Sequence, residues 1–305
     1  MKSKNLYLLK NFSNHEVRAY YNTPLLSLKE FLRQINLNNN KLKKIEALLH
    51  GTFQSTTFGT GFDFNEIREY KTGDDLRHIS WSATARTGNL HTKEYFTEKE
   101  VRSYFLIDIS NSMFCGNKLD PFLQSTVFLL NMACGFSEKI GGIFFSDEIK
   151  YNFPLAAANT QANIIFQTLI NYINNLNEKI TTTPSNTNLF KALDFTKQYF
   201  RKKGMIFIIS DLVNIERWEK IIYETAQKHN IYLFQIYDPI DFSLTKAGYI
   251  TIVDPETNKR LFVNTDSKII HESYVALMNT RQEKLKTFLK TIGVKHIVIE
   301  KTDFD

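Results

Sequence analysis

The chain has 305 residues, 43% hydrophobic and 23% charged, enough to bury a large core and too apolar for a disordered or low-complexity protein. Lys and Arg number 38 against 32 Asp and Glu, and this net charge of +6, spread along the chain, reads as solubility rather than as a nucleic-acid footprint. Two cysteines, Cys115 and Cys134, exclude a disulfide scaffold, no apolar run reaches the ~18 residues of a membrane span, and the N-terminus lacks a signal-peptide core, so a cytoplasmic protein is expected.

Residues 1–25, rich in Asn, Tyr and Lys, read as an irregular arm. Leu28, Phe31, Leu32 and Ile35 predict a helix over 25–36. Leu42, Ile45, Leu48 and Leu49 predict a second over 41–50, stopped by Gly51. Residues 52–60 read as a loop or extended segment. A turn at 71–74 then leads into the densest run of functional groups, Asp74, Asp75, Arg77, His78, Trp81 and Arg86. Acids and arginines so close suit a locking ion-pair network first, a partner or anion site second, and acid–base catalysis last, since no nucleophile accompanies them. Trp81 reads as a packing anchor.

Two strands are predicted over 90–96 and 101–107, the second buried. It ends on Asp108, followed by hydroxyls at Ser110 and Ser112. In an open α/β sheet the carboxyl ends of the strands face the ligand crevice. Hard oxygens there suit a small divalent cation. A buried helix over 122–139, a strand over 140–145, a turn around Asp147 and a return strand over 149–153 follow, Asp147 reading as turn chemistry. Helices over 156–174, 190–203 and 218–229 alternate with strands over 205–209 and 231–236, and Thr187 precedes the second of these helices as Asp211 follows the first of these strands. This alternation predicts an α/β fold with a doubly wound, mainly parallel sheet flanked by helices. A hairpin over 249–263, a helix over 267–291 and a strand over 294–299 end the chain. The hairpin is expected to pair with the extended segment before Asp108 as a small β subdomain.

The run Asp108-Ile-Ser-Asn-Ser112 after an apolar strand resembles the metal-ion-dependent adhesion site of von Willebrand factor A domains. That resemblance implies a site of Asp108, Ser110, Ser112, Thr187 and Asp211 holding Mg²⁺ or Mn²⁺. The blocks Gly59–Tyr70, Gly73–Trp81 and Ala85–Leu90 ahead of it resemble the bacterial domain of unknown function 58 family, whose members often accompany MoxR-type AAA+ ATPases. Ser80 stands where that family commonly has Asp.

Four regions are expected: N-terminal arm and helices (1–50), a family-specific extended segment (51–100), a von Willebrand factor A-like domain (101–240) and a C-terminal hairpin, helix and strand (241–305). The resemblance implies a non-enzymatic, metal-dependent protein–protein interaction module that partners a MoxR-type AAA+ ATPase and other von Willebrand factor A-like proteins through Asp108, Ser110, Ser112, Thr187 and Asp211. Asp74, Asp75, Arg77, Trp81 and Arg86 form a separate partner-binding or structural network. The alternatives are a Mg-dependent phosphoryl-transfer enzyme, for which Ser110 stands where a second acid is needed, and a nucleic-acid-binding protein.

Overall fold

The computed structural model describes residues 28, 31, 40–96, 101–176, 187–212, 218–241, 247–253 and 260–300. The chain divides into two compact units, Asn40–Glu100 and Met1–Asn39 with Val101–Asp305. The expected arm at 1–25 lies outside the described residues.

The smaller unit begins with α1 (Asn40–Thr57), whose Leu42, Ile45 and Leu49 are buried at helical spacing. The helix does not stop at Gly51. A glycine inside a helix costs about 1 kcal/mol relative to alanine, too little by itself to end one. The expected loop over 52–60 is therefore replaced by the last turns of α1 and the start of β1 (Phe58–Glu69). β1 pairs antiparallel with β2 (His91–Phe96). Between them a short 3₁₀ turn, Leu76–His78, and α2 (Trp81–Thr87) pack against β2.

The larger unit is organised by a mixed six-stranded sheet. Its strands are β3 (Arg102–Asp108), β4 (Lys139–Phe145), β5 (Ile149–Ala157), β6 (Met205–Ser210), β7 (Asn230–Ile236) and, numbered after a two-stranded hairpin, β10 (Lys295–Ile299). The order across the sheet is β10-β7-β6-β3-β4-β5, parallel throughout except for β5, which returns antiparallel on β4. Every residue of β3 is buried, the signature of a strand covered on both faces. Tyr104 and Leu106 share one face with side chains of α5 (Leu189–Tyr199), α6 (Glu219–Ala226) and α7 (Lys268–Thr291). Phe105, on the other, stacks on Phe207 at 4.9 Å between ring centroids. The pairs α3 (Leu119–Phe136) with α4 (Ala158–Leu176), and α4 with β4 and β5, are also packed. Gly142 is required where β4 lies beside β3, because a Cβ there would collide with the Phe105 carbonyl. Of the expected first helix, Leu28 and Phe31 are described; both are helical and buried, and Phe31 meets Phe166 of α4 at 5.5 Å.

The hairpin, β8 (Tyr249–Val253) with β9 (Arg260–Asn264), forms a two-stranded sheet of its own, and β1–β2 forms another. The expected joint β subdomain is thus corrected. Each pair satisfies its inner ladder locally, and nothing in either sequence specified a register with the other.

At the opposite end of the sheet from Asp108, His229 is 4% exposed, meets the Tyr104 ring edge-on at 6.0 Å, and its Nδ1 has no hydrogen-bond partner. Burial, helped by the Lys228 charge, pulls its pKa down to about 4 from 6.5. The unfolded chain therefore binds the proton more readily, so stability is full above pH 6.5 and falls as the pH drops toward 4. By pH 5 about 2 kcal/mol is expected to be lost through this group. Urea unfolding at pH 7.5 and pH 5 should show His229→Phe losing less than wild type by that amount. Equal losses would mean that the imidazole charges without penalty.

Candidate metal centre

From β3 the chain crosses to β4 on one side, while β6 pairs with β3 on the other, so the β3/β6 boundary is a topological switch point. Asp108 is the last residue of β3 and Asp211 the first beyond β6. Ser110 caps, and Ser112 lies within, the 3₁₀ turn Asn111–Phe114. Thr187 stands just ahead of Asn188, whose side chain caps α5 by accepting from Lys191 N. Residues distant in sequence thus meet at one sheet edge.

Asp108 Oδ1 accepts from Ser110 N at 2.9 Å and Oδ2 from Ser210 Oγ at 2.6 Å. Ser110 Oγ shares a hydrogen bond with Ser112 Oγ at 3.1 Å and accepts from Thr187 Oγ1 at 2.9 Å. Asp211 is tied to this group by charge, since its carboxylate helps raise the Asp108 pKa. The open rim expected from sequence is not what the described residues present: Asp108 and Ser110 are fully buried, and Thr187, the most accessible of the five, is 7% exposed.

Five residues with no part in the sequence reading complete the neighbourhood. Lys118, 2% exposed, places Nζ 2.7 Å from Asp211 Oδ2 and 2.8 Å from Asp241 Oδ2. Ser210 holds Asp108 and also accepts from Leu212 N at 3.1 Å. Asp238, 3% exposed, accepts from Asn117 N at 2.7 Å. Gly116, at φ +68°, lets that loop come close, because a Cβ would lie 2.5 Å from Asp238 Oδ2. Asp238 and Asp241 lie just past β7, as Asp211 lies just past β6. An acid directly after a predicted strand was the signal that could have found them.

The electrostatics are lopsided. Burial first, then the Asp211 charge, push the Asp108 carboxyl well above the carboxylate range, against the hydrogen bonds from Ser210 and Ser110. Burial likewise raises Asp241 despite Lys118. For Lys118, burial alone would favour the neutral amine, but Asp211 and Asp241 outweigh it and hold the ammonium charged. Acids therefore outnumber the buried ammonium here, a surplus that a divalent cation would relieve.

The spacing of the hydroxyls also fits such an ion. Mg²⁺ takes octahedral oxygens at roughly 2.0–2.1 Å, which puts neighbouring ligands about 2.9 Å apart. The Ser110–Ser112 and Ser110–Thr187 separations, 3.1 and 2.9 Å, match that edge. Among the described residues no group of three or more His, Cys, Asp and Glu is placed to hold a metal, so the hydroxyls are essential to the fit.

The Asp74 to Arg86 stretch, in the smaller unit, is arranged differently from the expected network. Asp74 pairs bidentately with Arg68, at 2.8 and 2.9 Å, and its carboxyl drops to about 2. Asp75 pairs with Arg77 at 2.7 Å, which lowers it likewise to about 2. Among the described residues Arg86 reaches only the Ser82 carbonyl, at 3.3 Å. Trp81 is 69% exposed, which corrects the packing-anchor reading. It lies two residues from buried Ala83, about 200° around the helix, and so faces away from β2.

The chain is 23% identical over 221 residues to the uncharacterized protein Rv1480 of Mycobacterium tuberculosis, covering 70% of this chain and 67% of that one. It is 25% identical over 131 residues to the uncharacterized protein MAV169 of Mycobacterium avium, covering 41% and 76%. Among solved structures it is similar to the conserved hypothetical protein BatB of Bacteroides thetaiotaomicron, with a TM-score of 0.41, 13% identity and coverage of 66% and 90%. An aerotolerance-related membrane protein of Bacteroides fragilis gives 0.42, 13%, 67% and 93%. No helix among the described residues is long and apolar enough to cross a membrane. The match that takes in β2, the Asp108 turn, Lys118, Thr187 and Asp211 together runs over residues 66–284, and by it the chain belongs to the family described as protein of unknown function DUF58.

Proposed function

We propose that the larger unit is a von Willebrand factor A-like domain whose adhesion-type site, Asp108, Ser110, Ser112, Thr187 and Asp211, holds Mg²⁺ or Mn²⁺. The observation that carries this reading is the hydroxyl triad at octahedral-edge spacing beside an excess of buried carboxylate. Ser110, Ser112 and Thr187 would supply neutral oxygens, Asp108 and Asp211 the charge. Bound there, the cation would offer an electrophilic position to a carboxylate oxygen from another protein. Because the five side chains are buried, such an oxygen would have to displace a neighbour, most easily beside Thr187.

The role that follows is a non-enzymatic, metal-dependent interaction module, acting in the cytoplasm as an adaptor for a MoxR-type AAA+ ATPase and other von Willebrand factor A-like proteins. Against a phosphoryl-transfer role stands Ser110, which occupies the place where an aspartate-nucleophile enzyme needs a second acid. Nucleic-acid binding through this site is disfavoured by its negative charge.

The test has two steps. Mg²⁺ should raise the unfolding midpoint of the wild type, by about 2.7 kcal/mol in stability at 100 times its Kd, and chelator should reverse this. A purified MoxR-type ATPase should then be captured in Mg²⁺ by wild type and by Ser82→Ala, but not by Ser110→Ala. Equal capture by Ser110→Ala would end the adhesion reading, and an unfolding midpoint indifferent to Mg²⁺ and Mn²⁺ would end the metal reading.

A further inference from the structure

The turn that carries Asp211 is held in a backbone conformation its sequence does not favour. Among the described residues Leu212 is the one non-glycine residue at positive φ, +56°. Left-handed backbone crowds a Cβ against the following carbonyl, so glycine or asparagine ordinarily takes such a place. Here a leucine takes it, with its side chain 3% exposed in the core beneath α5, α6 and α7. Core packing and backbone geometry thus make opposite demands on one residue.

Side chains from three elements hold the turn in this form. Ser210, at the end of β6, accepts from Leu212 N at 3.1 Å while donating to Asp108 Oδ2 at 2.6 Å. Arg281 of α7 donates from Nη2 to the Leu212 carbonyl at 3.2 Å. Its neighbour Gln282 exchanges hydrogen bonds with Gln235 of β7 at 3.1 and 3.4 Å, and Gln235 Nε2 reaches the Asp211 carbonyl at 3.4 Å. Two consecutive residues of one helix therefore act on two consecutive residues of the turn, the first directly and the second through a buried amide. Strained backbone persists only where its surroundings over-determine it, and such places gather at functional sites.

We propose that Arg281 is a positioning residue for the candidate cation site, bracing the Asp211–Leu212 turn so that the Asp211 carboxylate stays beside Asp108; this rests on the metal reading of that site. With the Leu212 side chain anchored in the core, relaxation of φ rotates the preceding peptide plane, the one shared with Asp211, and carries Asp211 with it. Lys118 supplies charge to Asp211 but, as a rotatable point charge, gives it little direction. The guanidinium, a planar charged donor on the Leu212 carbonyl, supplies that direction.

The test is calorimetric titration of Mg²⁺ into the full chain. Arg281 is exposed, so replacing it leaves the core intact. Arg281→Met should weaken Mg²⁺ binding about five- to thirty-fold, the factor that corresponds to one left-handed leucine. Arg281→Lys, which keeps a charged donor, should lose less. The decisive variant adds Leu212→Gly to Arg281→Met. Glycine adopts φ +56° freely, so most of the affinity should return, even though loss of a buried leucine lowers the urea midpoint further. A general loss of stability would move both readouts the same way. The brace is overturned, with the cation reading intact, if wild type binds Mg²⁺ and Arg281→Met binds it equally, or if adding Leu212→Gly restores nothing. A wild type that takes up no Mg²⁺ overturns the cation reading and the brace together.

Discussion

Lys118→Met is expected to destabilise the folded chain by about 3–5 kcal/mol, the usual consequence of leaving a buried charge without its counterion. The ammonium lies between Asp211 and Asp241 at 2.7 and 2.8 Å, with 2% of its side chain exposed, and Asp211 beside it is fully buried. Removing it strands two carboxylates next to a third, Asp108, already raised by its surroundings. The folded state can relieve this only by protonating or by admitting water, and both disturb the turn after β6. Urea unfolding at constant pH measures the effect. Adding Asp211→Asn to the variant should recover part of the loss, since the stranded charge then disappears with its partner. A loss below about 1 kcal/mol would show that the pair is solvated and of the surface kind.

Asp108→Asn should have opposite signs with and without Mg²⁺. Without the ion, the substitution removes a charge that burial and Asp211 both disfavour, while an amide oxygen can still accept from Ser110 N. The apo variant is therefore expected to be as stable as wild type or about 1 kcal/mol more so near neutral pH. The sign follows from linkage: a carboxyl raised in the folded state favours folding when protonated, and that contribution fades as pH rises above its unfolded value near 3.8. The variant should lack this decline. In Mg²⁺ the order reverses, because wild type gains binding energy and the variant does not. Thermal unfolding of both proteins with chelator and with Mg²⁺ reads both halves. A variant that is less stable under chelator and responds to Mg²⁺ as wild type does would remove Asp108 from any cation site.

Much of the larger unit was legible because its signals are local. The run from Tyr104 to Ile107 is apolar at every position, and β3 is buried at every position. The return strand after Asp147 was readable from its turn, and Asp147 does bond Ser146 and Lys150 as turn chemistry requires. Convergence of Ser110, Ser112 and Thr187 was legible only through the resemblance to the adhesion site, since α/β alternation places strand ends along one edge but does not single out Thr187 ahead of a helix. Lys118 was not legible: a lysine in a polar loop looks like any solvated lysine until Asp211 and Asp241 are known to enclose it. Gly51 misled for a related reason, because a weak local breaker yields to the helix around it. Trp81 misled because an aromatic residue carries no mark in sequence of whether its neighbours cover it.

The hydroxyl and carboxylate groups at the β3/β6 boundary come from segments 77 and 102 residues apart in sequence. On the metal reading proposed above, the set of five is incomplete until the end of β6 has joined β3, so a nascent chain lacking β6 would lack Asp211. Uptake of the ion would thus act as a readout of tertiary completion, so a binding partner that senses the cation would ignore truncated or half-folded copies.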